Sequence, residues 1–344
     1  MTGALFRDIE IGLYSVSATA DNRAVAKRAE ARGFRRLWLA EDHHSRDIFV
    51  QATAIGTATG SIEIGLGIVN PYTRHPAQIA MAVADLEELA GPRFILGLGA
   101  GWSSISAHGL ENPRPIAALR EAAAICRGML SGERFAFEGA LYRLPAPGAR
   151  LTFAPPRPDV PFYIGSMGPR TLKMAAPTAD GVFFSVFASP AYVEHCLGYV
   201  REALDGTGRT VKDIDVTCYI VFSVDEDGDA ARAAAKELIA HYLMRIPDTI
   251  RFEFAGLDVA RMQSLQARLK SAFAENRLER AVAALDDDVV AALAVAGTPD
   301  ECIEGLKPYA AAGLKTAVLY QVLGPDRLAS VDLIADRIRQ ALAG

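Results

Sequence analysis

Strand-like and helix-like segments alternate along most of this 344-residue chain, and this alternation restricts the fold more than any other feature. Short apolar runs predict eight strands, at residues 9–14, 36–40, 62–68, 94–98, 161–164, 182–185, 215–224 and 316–322. Short joints link each of the first four strands to a following helix, and parallel strands need such crossover helices. Eight strands in this order predict an α/β fold, a (β/α)₈ barrel rather than an open sheet, and the length suits a barrel with insertions.

The helices between these strands carry recognisable start and stop signals. Asp21 and Asn22 are candidates to cap the first helix, and Gly33 suits its end. Pro76 suits the first turn of a helix that Gly91 would end. The remaining predicted helices lie at residues 48–59, 169–179, 299–312 and 325–342.

Two segments fall outside the repeating pattern. Residues 134–144 carry aromatic side chains around a Glu-Gly pair and predict a small hairpin. Residues 239–295 predict a mostly helical insertion between the seventh and eighth strands, where barrels often place substrate-binding segments. No low-complexity segment or linker divides the chain, so we expect one domain over residues 1–344.

Composition narrows the class of protein and its partners. Hydrophobic residues make up 51% of the chain, charged residues 22%, and the net charge is -5, which gives no electrostatic reason to expect nucleic acid. No stretch approaches the roughly 20 apolar residues of a membrane span, and no secretory signal opens the sequence. The 4 cysteines are scattered without a CxxC pair, which favours buried thiols and a cytoplasmic protein.

Polar or glycine-rich motifs follow several predicted strands, at the end where barrel enzymes hold their active sites. Glu41-Asp42-His43-His44 follows the second strand, and NPYTRHP follows the third, from Asn70. Acids beside histidine at a strand end are typical of sites with perturbed pKa values, although such a cluster could also be a solvated loop or a helix cap. Adjacent histidines without an i, i+4 pair make a poor metal site, so we predict no metal.

Two glycine-rich segments suggest contact with a ligand. Residues 97–101 resemble a dinucleotide fingerprint, but they follow the fourth strand and Trp102 stands where the last glycine should be, which disfavours that interpretation. In GSMGPRT, Gly165 and Gly168 allow tight turning and Pro169 suits a first helical turn. Backbone N–H groups at that helix start could bind a phosphate, and the alternative is an ordinary strand-to-helix turn.

Together these motifs resemble the luciferase-like family of flavin and deazaflavin oxidoreductases. The resemblance covers about residues 9–341 and rests on GFRRLWLAEDHHSRD, GLGIVNPYTRHPAQIA, LGLGAGW, ENPRPIAALREA, YIGSMGPRTLKMAAPTADG and AGTPDE. NPYTRHP followed later by PRPIAALREA is especially similar to the branch that contains methylenetetrahydromethanopterin reductase, which uses the deazaflavin coenzyme factor 420. FMN-dependent relatives share much of the same pattern.

The resemblance assigns roles to residues at the strand ends. Glu41 and Asp42 match the place where the family often has an acid followed by histidine near the reacting ring; here the histidine is His43, which leaves open which residue donates a proton. Gly67 and Ile68 match a bulge in the third strand that backs the deazaflavin ring and contains a non-proline cis peptide.

Further residues are assigned to cofactor binding by the same resemblance. Asn70 lies beside the bulge, and Gly99, Gly101 and Trp102 match the loop near the ring, although some relatives have an acid in place of Trp102. The phosphate-side turn is matched by Gly165, Ser166, Met167, Gly168, Pro169, Arg170 and Thr171.

The resemblance implies an oxidoreductase that transfers a hydride between factor 420 and a small organic substrate, with the ring supplying the redox chemistry. An FMN-dependent luciferase-like monooxygenase and a non-catalytic flavin-binding protein remain the alternatives. A homodimer is expected from the resemblance alone.

Overall fold

The computed structural model describes residues 4–42, 44–110, 114–246 and 249–343, with the backbone alone at 102–104. The chain has the predicted (β/α)₈ barrel fold, with eight parallel strands alternating with helices. The barrel strands are β1 (Asp8–Tyr14), β2 (Arg36–Ala40), β3 (Glu63–Val69), β4 (Phe94–Gly99), β7 (Phe162–Gly165), β8 (Gly181–Phe184), β9 (Asp215–Val224) and β11 (Thr316–Leu323). The predicted hairpin forms from β5 (Phe135–Glu138) and β6 (Arg143–Ala149), and a short strand β10 (Val295–Gly297) pairs with β9.

Helices follow the strands in the predicted order. Those before β9 are α1 (Thr19–Ala31), α2 (Ile48–Gly56), α3 (Pro76–Ala90), α4 (Trp102–Ala107), α5 (Pro115–Leu130), α6 (Pro169–Ala175) and α7 (Pro190–Leu204). Those after β9 are α8 (Gly228–Leu243), α9 (Ile250–Phe254), α10 (Val259–Ala274), α11 (Leu278–Ala283), α12 (Asp287–Leu293), α13 (Pro299–Ala311), α14 (Arg327–Leu333) and α15 (Arg339–Leu342), with a π-helical segment (Ile334–Ile338) between the last two. In the described part of the chain, no helix is both long and apolar enough to cross a membrane.

The chain divides into two compact units. Unit I comprises residues 12–183 and 199–216, and its strands pair in the order β2-β3-β4-β7-β8. Unit II comprises residues 1–11, 184–198 and 217–344, and its strands include β10-β9-β11, paired in that order. All pairs within these two series are parallel.

The core of unit I is organised around Trp38, whose side chain is fully buried in β2. Trp38 lies opposite Gly65 in the register of β2 and β3, and a Cβ on Gly65 would stand 2.2 Å from a ring carbon of Trp38. The indole meets Tyr163 and Phe183 edge to face, with centroid distances of 5.2 and 4.7 Å. Glycine at 65 is therefore required because only a missing side chain leaves room for the indole.

Local signals predicted some helix ends well and others wrongly. Pro76 occupies the first turn of α3 and Gly91 ends that helix, as predicted. The predicted cap of α1 is wrong, because the helix begins at Thr19 and its N-terminal flank, Ala18, makes no side-chain cap. Asn22 is buried instead, and its amide nitrogen donates to the Tyr14 carbonyl oxygen at 2.9 Å. The Asn22 amide is therefore engaged in a tertiary hydrogen bond and does not cap the helix.

Other elements differ from the sequence expectation in their bounds. Helix α6 ends at Ala175 rather than near residue 179, and α2 ends at Gly56 rather than near residue 59. Helices α8 to α12 occupy residues 228–293, so the helical segment starts before the predicted residue 239. All 4 cysteines are free and buried, as their scattered spacing predicts.

Candidate active site

A partly buried ion-pair network follows β2 and β3 in unit I. Arg74, in the loop after β3, donates hydrogen bonds from its two terminal guanidinium nitrogens. One bond goes to the Glu41 carboxylate, and the other goes to Asp47 Oδ2 at 2.5 Å. Glu41 also accepts the backbone N–H of Asn70, with a donor–acceptor distance of 3.4 Å. The side chain of Glu41 is 11% exposed and that of Arg74 25%. The two loops are thereby joined through charged groups that are largely withdrawn from water.

Burial and charge pull the pKa of Glu41 in opposite directions. Loss of solvent raises the pKa of this carboxyl above its ordinary value, while the Arg74 guanidinium and the hydrogen bonds limit the rise. Asp47 is more open, and there the hydrogen bonds from Arg74 and from backbone N–H groups lower the pKa below the usual range despite partial burial. One guanidinium therefore pairs with two carboxyl groups whose pKa values are shifted in opposite directions, upward for Glu41 and downward for Asp47.

Asp42, the second predicted catalytic acid, is held by the first strand. The Tyr14 hydroxyl, at the end of β1, donates a hydrogen bond to the Asp42 carboxylate. His43 lies outside the described residues, so its role in proton handling stays a prediction. His44 adopts a φ of 57° and its ring lies 5.3 Å from that of His108, measured between centroids.

These groups surround a cavity of about 210 Å³. Its wall includes Glu41, Asp42, His44, Ser45, Arg46, Asp47, Thr73, Arg74 and His108. Carboxyl, imidazole and guanidinium groups thus converge on one concave surface, as in sites that transfer protons. Among the described residues, no group of three or more His, Cys, Asp and Glu side chains is placed to hold a metal ion.

The bulge in β3 has the predicted backbone form. The peptide bond Gly67–Ile68 is cis, and the register of β3 against β4 shifts between Leu66 and Val69. The Ile68 side chain packs against the neighbouring strands: a Cβ on Gly99 would lie 2.5 Å from Ile68, and one on Gly165 would lie 2.7 Å from it. These glycines therefore make room for Ile68, a role that the sequence argument did not assign to them.

Asn70 and Gly101 shape the loops beside the bulge. Asn70 is buried, its amide nitrogen donates to the Ala100 carbonyl oxygen at 2.9 Å, and its amide oxygen accepts the Tyr72 N–H at 2.8 Å. Gly101 has a φ of 58°, a left-handed conformation that favours glycine. Trp102 begins α4, a helix of 6 residues. Asn70 thus ties the loop after β3 to the loop after β4.

The GSMGPRT turn is less open at its backbone than the sequence suggests. Pro169 begins α6 as predicted, but the Gly168 N–H already donates to Ser166 Oγ at 3.1 Å, and the Thr171 N–H donates to the Gly168 carbonyl oxygen at 3.1 Å. Met167 is buried, whereas Gly168, Pro169 and Arg170 are exposed. A Cβ on Gly168 would meet only Ser166 Oγ, at 3.8 Å. The turn offers exposed space and the Arg170 charge more than a set of unpaired N–H groups.

Several residues of this site were missed by sequence reasoning. Arg74 stands inside the quoted NPYTRHP motif but received no role, and Tyr14 was considered only as part of a strand. His108 carries no motif, so the sequence gives it no role. The position of Tyr14 at the end of a barrel strand was a usable signal, whereas nothing in the sequence places His108 beside His44.

Comparison with known proteins identifies the family. The family model described as luciferase-like monooxygenase matches residues 4–316, and the chain belongs to that family.

Within the family, this chain is similar to reductases that use coenzyme F420. It is 31% identical over 315 residues to 5,10-methylenetetrahydromethanopterin reductase of Methanolobus tindarius, covering 91% of this chain and 94% of the relative. It is 30% identical to the F420-dependent glucose-6-phosphate dehydrogenase of Amycolatopsis mediterranei, with 86% of each chain covered. The solved coenzyme F420-dependent tetrahydromethanopterin reductase of Methanopyrus kandleri superposes with a TM-score of 0.88 and 27% identity, covering 98% of this chain and 99% of that one.

Proposed function

We propose that this chain is an oxidoreductase that transfers a hydride between coenzyme F420, the factor 420 of the resemblance, and a small organic substrate. The observation that carries the proposal is the likeness to F420-dependent reductases over nine-tenths of the chain, at 31% identity to the Methanolobus tindarius enzyme. The acids that follow β2 and line the cavity support it, because hydride transfer to an organic acceptor is completed by a proton.

The residues present fit a flat ring with a phosphate-bearing tail. The cis peptide at Gly67–Ile68 and the loop from Gly99 to Trp102 present backbone and an aliphatic side chain, suited to the face of a ring. Exposed Gly168 leaves space at the turn from 165 to 171, where Ser166, Arg170 and Thr171 add hydroxyl groups and a positive charge for a phosphate. We assign these residues and Asn70 to cofactor binding.

The chain's own residues manage the proton and the shape of the site. When bound, the deazaflavin supplies the hydride chemistry. Burial raises the pKa of Glu41, so this carboxyl keeps its proton to higher pH than an exposed glutamate does. The Tyr14 hydroxyl orients Asp42, and Arg74 orients Glu41 toward the cavity that both acids line. We assign proton handling to Glu41, Asp42 and His43.

A binding titration followed by turnover tests this function. Purified protein is titrated with factor 420 and with FMN. Hydride transfer is followed by the gain in absorbance of oxidised factor 420 when the reduced coenzyme is mixed with candidate acceptors, or by its loss when the oxidised coenzyme is mixed with candidate hydride donors. We expect tighter binding of factor 420 than of FMN. Equal or tighter FMN binding with rapid oxygen uptake would establish the second candidate, an FMN-dependent monooxygenase, which the description of the family model favours. Binding without turnover of any acceptor would point to a non-catalytic flavin-binding protein.

We further propose that the enzyme works in the cytoplasm as a homodimer. Four buried free thiols suit a reducing compartment. Exposed apolar side chains on α2 and α3, namely Val50, Met81 and Leu89, supply a surface that a second copy could cover. Light scattering after size-exclusion chromatography tests the dimer, and a monomer at micromolar concentration would contradict it.

A further inference from the structure

Two buried polar side chains at the ends of β9 and β11 in unit II have no hydrogen-bond partner among the described residues. They are Gln321, of which both the amide nitrogen and the amide oxygen lack a partner, and Ser223, whose hydroxyl lacks one. Gln321 is 6% exposed and Ser223 is 0% exposed. Burying such groups unpaired is unfavourable, and native proteins retain few of them.

The local backbone aims the Gln321 side chain in an unusual way. Tyr320 pairs with Val221, but the next pair along is Leu323 with Ser223, so Gln321 and its neighbour form a bulge in β11. Gln321 has a φ of 82°, a left-handed conformation that is uncommon for residues other than glycine. Bulges next to active sites typically re-aim one side chain. A core position that needed only packing would be filled by an aliphatic residue in ordinary strand geometry.

A cluster of aromatic side chains adjoins these two strands, with two members in β9 and β11, one in α8 and one in the segment after β8. Tyr219 and Tyr320 stack with their ring centroids 4.0 Å apart, and the hydroxyl groups of Tyr320 and Tyr242 lie 2.9 Å apart. Phe187 meets Tyr242 edge to face at 6.0 Å. Sites that bind small heterocycles typically combine flat, largely apolar walls with a few fixed polar groups. The carboxyl ends of barrel strands are also where such sites lie.

We propose that Gln321 and Ser223 form a polar subsite that binds a heterocycle through a lactam edge, an adjacent C=O and N–H. A carboxamide presents one donor and one acceptor side by side, so it pairs with a lactam through two hydrogen bonds, and the serine hydroxyl adds a third partner. The inference rests on the proposed function for the source of that edge. Both a deazaflavin and a pteridine-type substrate carry one, and the experiment distinguishes them.

The test compares three variants with the parent protein. Gln321→Met keeps the side-chain length without hydrogen bonding, and Ser223→Ala removes only the hydroxyl. Gln340→Met, at an exposed position of α15, makes the same chemical change where no subsite is proposed. The probes are factor 420, lumazine, whose rings carry lactam edges, and quinoxaline, a similar flat bicycle without one. Calorimetry or ligand-detected NMR gives each Kd, and a thermal melt without ligand gives Tm.

We expect Gln321→Met to keep or raise Tm, because it removes an unpartnered buried amide, and to weaken lumazine or factor 420 about tenfold. Ser223→Ala should act in the same direction with a smaller change, while quinoxaline binding and Gln340→Met remain at parent values. Weaker factor 420 binding assigns the edge to the coenzyme. Weaker lumazine binding in the presence of saturating factor 420 assigns it to the substrate.

Unchanged Kd values for both lumazine and factor 420 in Gln321→Met and Ser223→Ala would overturn the subsite. A fall of several degrees in Tm with unchanged binding would overturn it too, because the amide would then have a structural partner. Failure of the proposed function looks different. If the parent protein does not bind factor 420 but binds lumazine, and Gln321→Met weakens the lumazine binding, the proposed hydride transfer is overturned and the subsite is supported. If the parent protein turns factor 420 over and Gln321→Met binds every probe with the parent Kd, only the subsite is overturned.

Discussion

Two regions at strand ends of unit I differ in how their polar groups are paired: the acid cluster after β2 and β3, and the turn from 165 to 171. In the acid cluster, defined here as Glu41, Asp42, Asp47 and Arg74, each of these charged groups already has a protein partner. In the turn from 165 to 171, the exposed part consists of a glycine, a proline and an arginine, and α6 begins without a side-chain cap. The cluster is organised before any ligand arrives, whereas the turn leaves space and charge for one. Changes in the cluster should therefore alter chemistry and stability, and changes in the turn should alter binding.

The largest effect is expected from the acids and the histidine that manage the proton. Asp42→Asn and His43→Gln should each lower kcat about a hundredfold, within the range for losing a general acid or base, while the Kd of factor 420 changes little. Steady-state kinetics beside a cofactor titration measures both quantities. Tyr14→Phe, which removes the hydroxyl that holds Asp42, should fall between these variants and the parent. Full activity in both Asp42→Asn and His43→Gln would make the cluster structural.

Removing Arg74 should show that the acid cluster is pre-organised. Arg74→Met leaves Glu41 largely buried without its counter-charge, and we expect a loss of about 2–3 kcal/mol in the free energy of unfolding, somewhat less than for a fully buried pair. Denaturant unfolding measures the loss. Glu41→Gln combined with Arg74→Met should recover part of it, since the two changes are coupled.

Arg261→Met is the matched control for Arg74→Met. Arg261 pairs with Asp286 and Asp288 on an exposed surface, where ion pairs contribute little, so its removal should leave the unfolding midpoint nearly unchanged. Equal losses from the two arginines would contradict the view that burial makes the Arg74 network different.

The turn is tested by a change that affects binding alone. Gly168→Asp adds bulk and negative charge at the proposed phosphate position, and we expect about tenfold weaker binding of factor 420, roughly 1.4 kcal/mol. Gly168→Ala is the control, because a Cβ there meets only Ser166 Oγ at 3.8 Å. Parent-like binding by a folded Gly168→Asp protein would place the phosphate elsewhere and leave this turn a simple connection.

The smallest effect is a change in the shape of the pH profile. Because burial raises the pKa of Glu41, its protonated form persists above the pH at which an exposed glutamate ionises. If it donates the proton, kcat falls as pH rises through that raised pKa, and Glu41→Gln loses this limb of the profile. Glu88→Gln, on an exposed face of α3, should retain the parent profile. An unchanged limb in Glu41→Gln would assign the titration to another group.

The sequence by itself determined the order of the barrel elements and most of their bounds. Strands β2 and β9 occupy the predicted residues, and Pro76 and Gly91 bound α3 as their local preferences require. Apolar periodicity, proline and glycine act over a few residues, so these features can be read along the chain. The cis peptide at Gly67–Ile68 was also predicted, but from a family resemblance and not from local physics.

Only the tertiary structure decided which side chains meet. Arg74 reaches Glu41 across 33 positions of sequence, and Asn70 reaches the Ala100 carbonyl oxygen across 30. Asn22 makes a buried hydrogen bond instead of the predicted helix cap. Gly99 and Gly165, which were predicted to contact a ligand, also leave space for the Ile68 side chain. Such contacts depend on strand register and side-chain direction, which bring together residues that no local pattern connects. Sequence therefore predicts where the strands end, while packing decides which charges at those ends are paired.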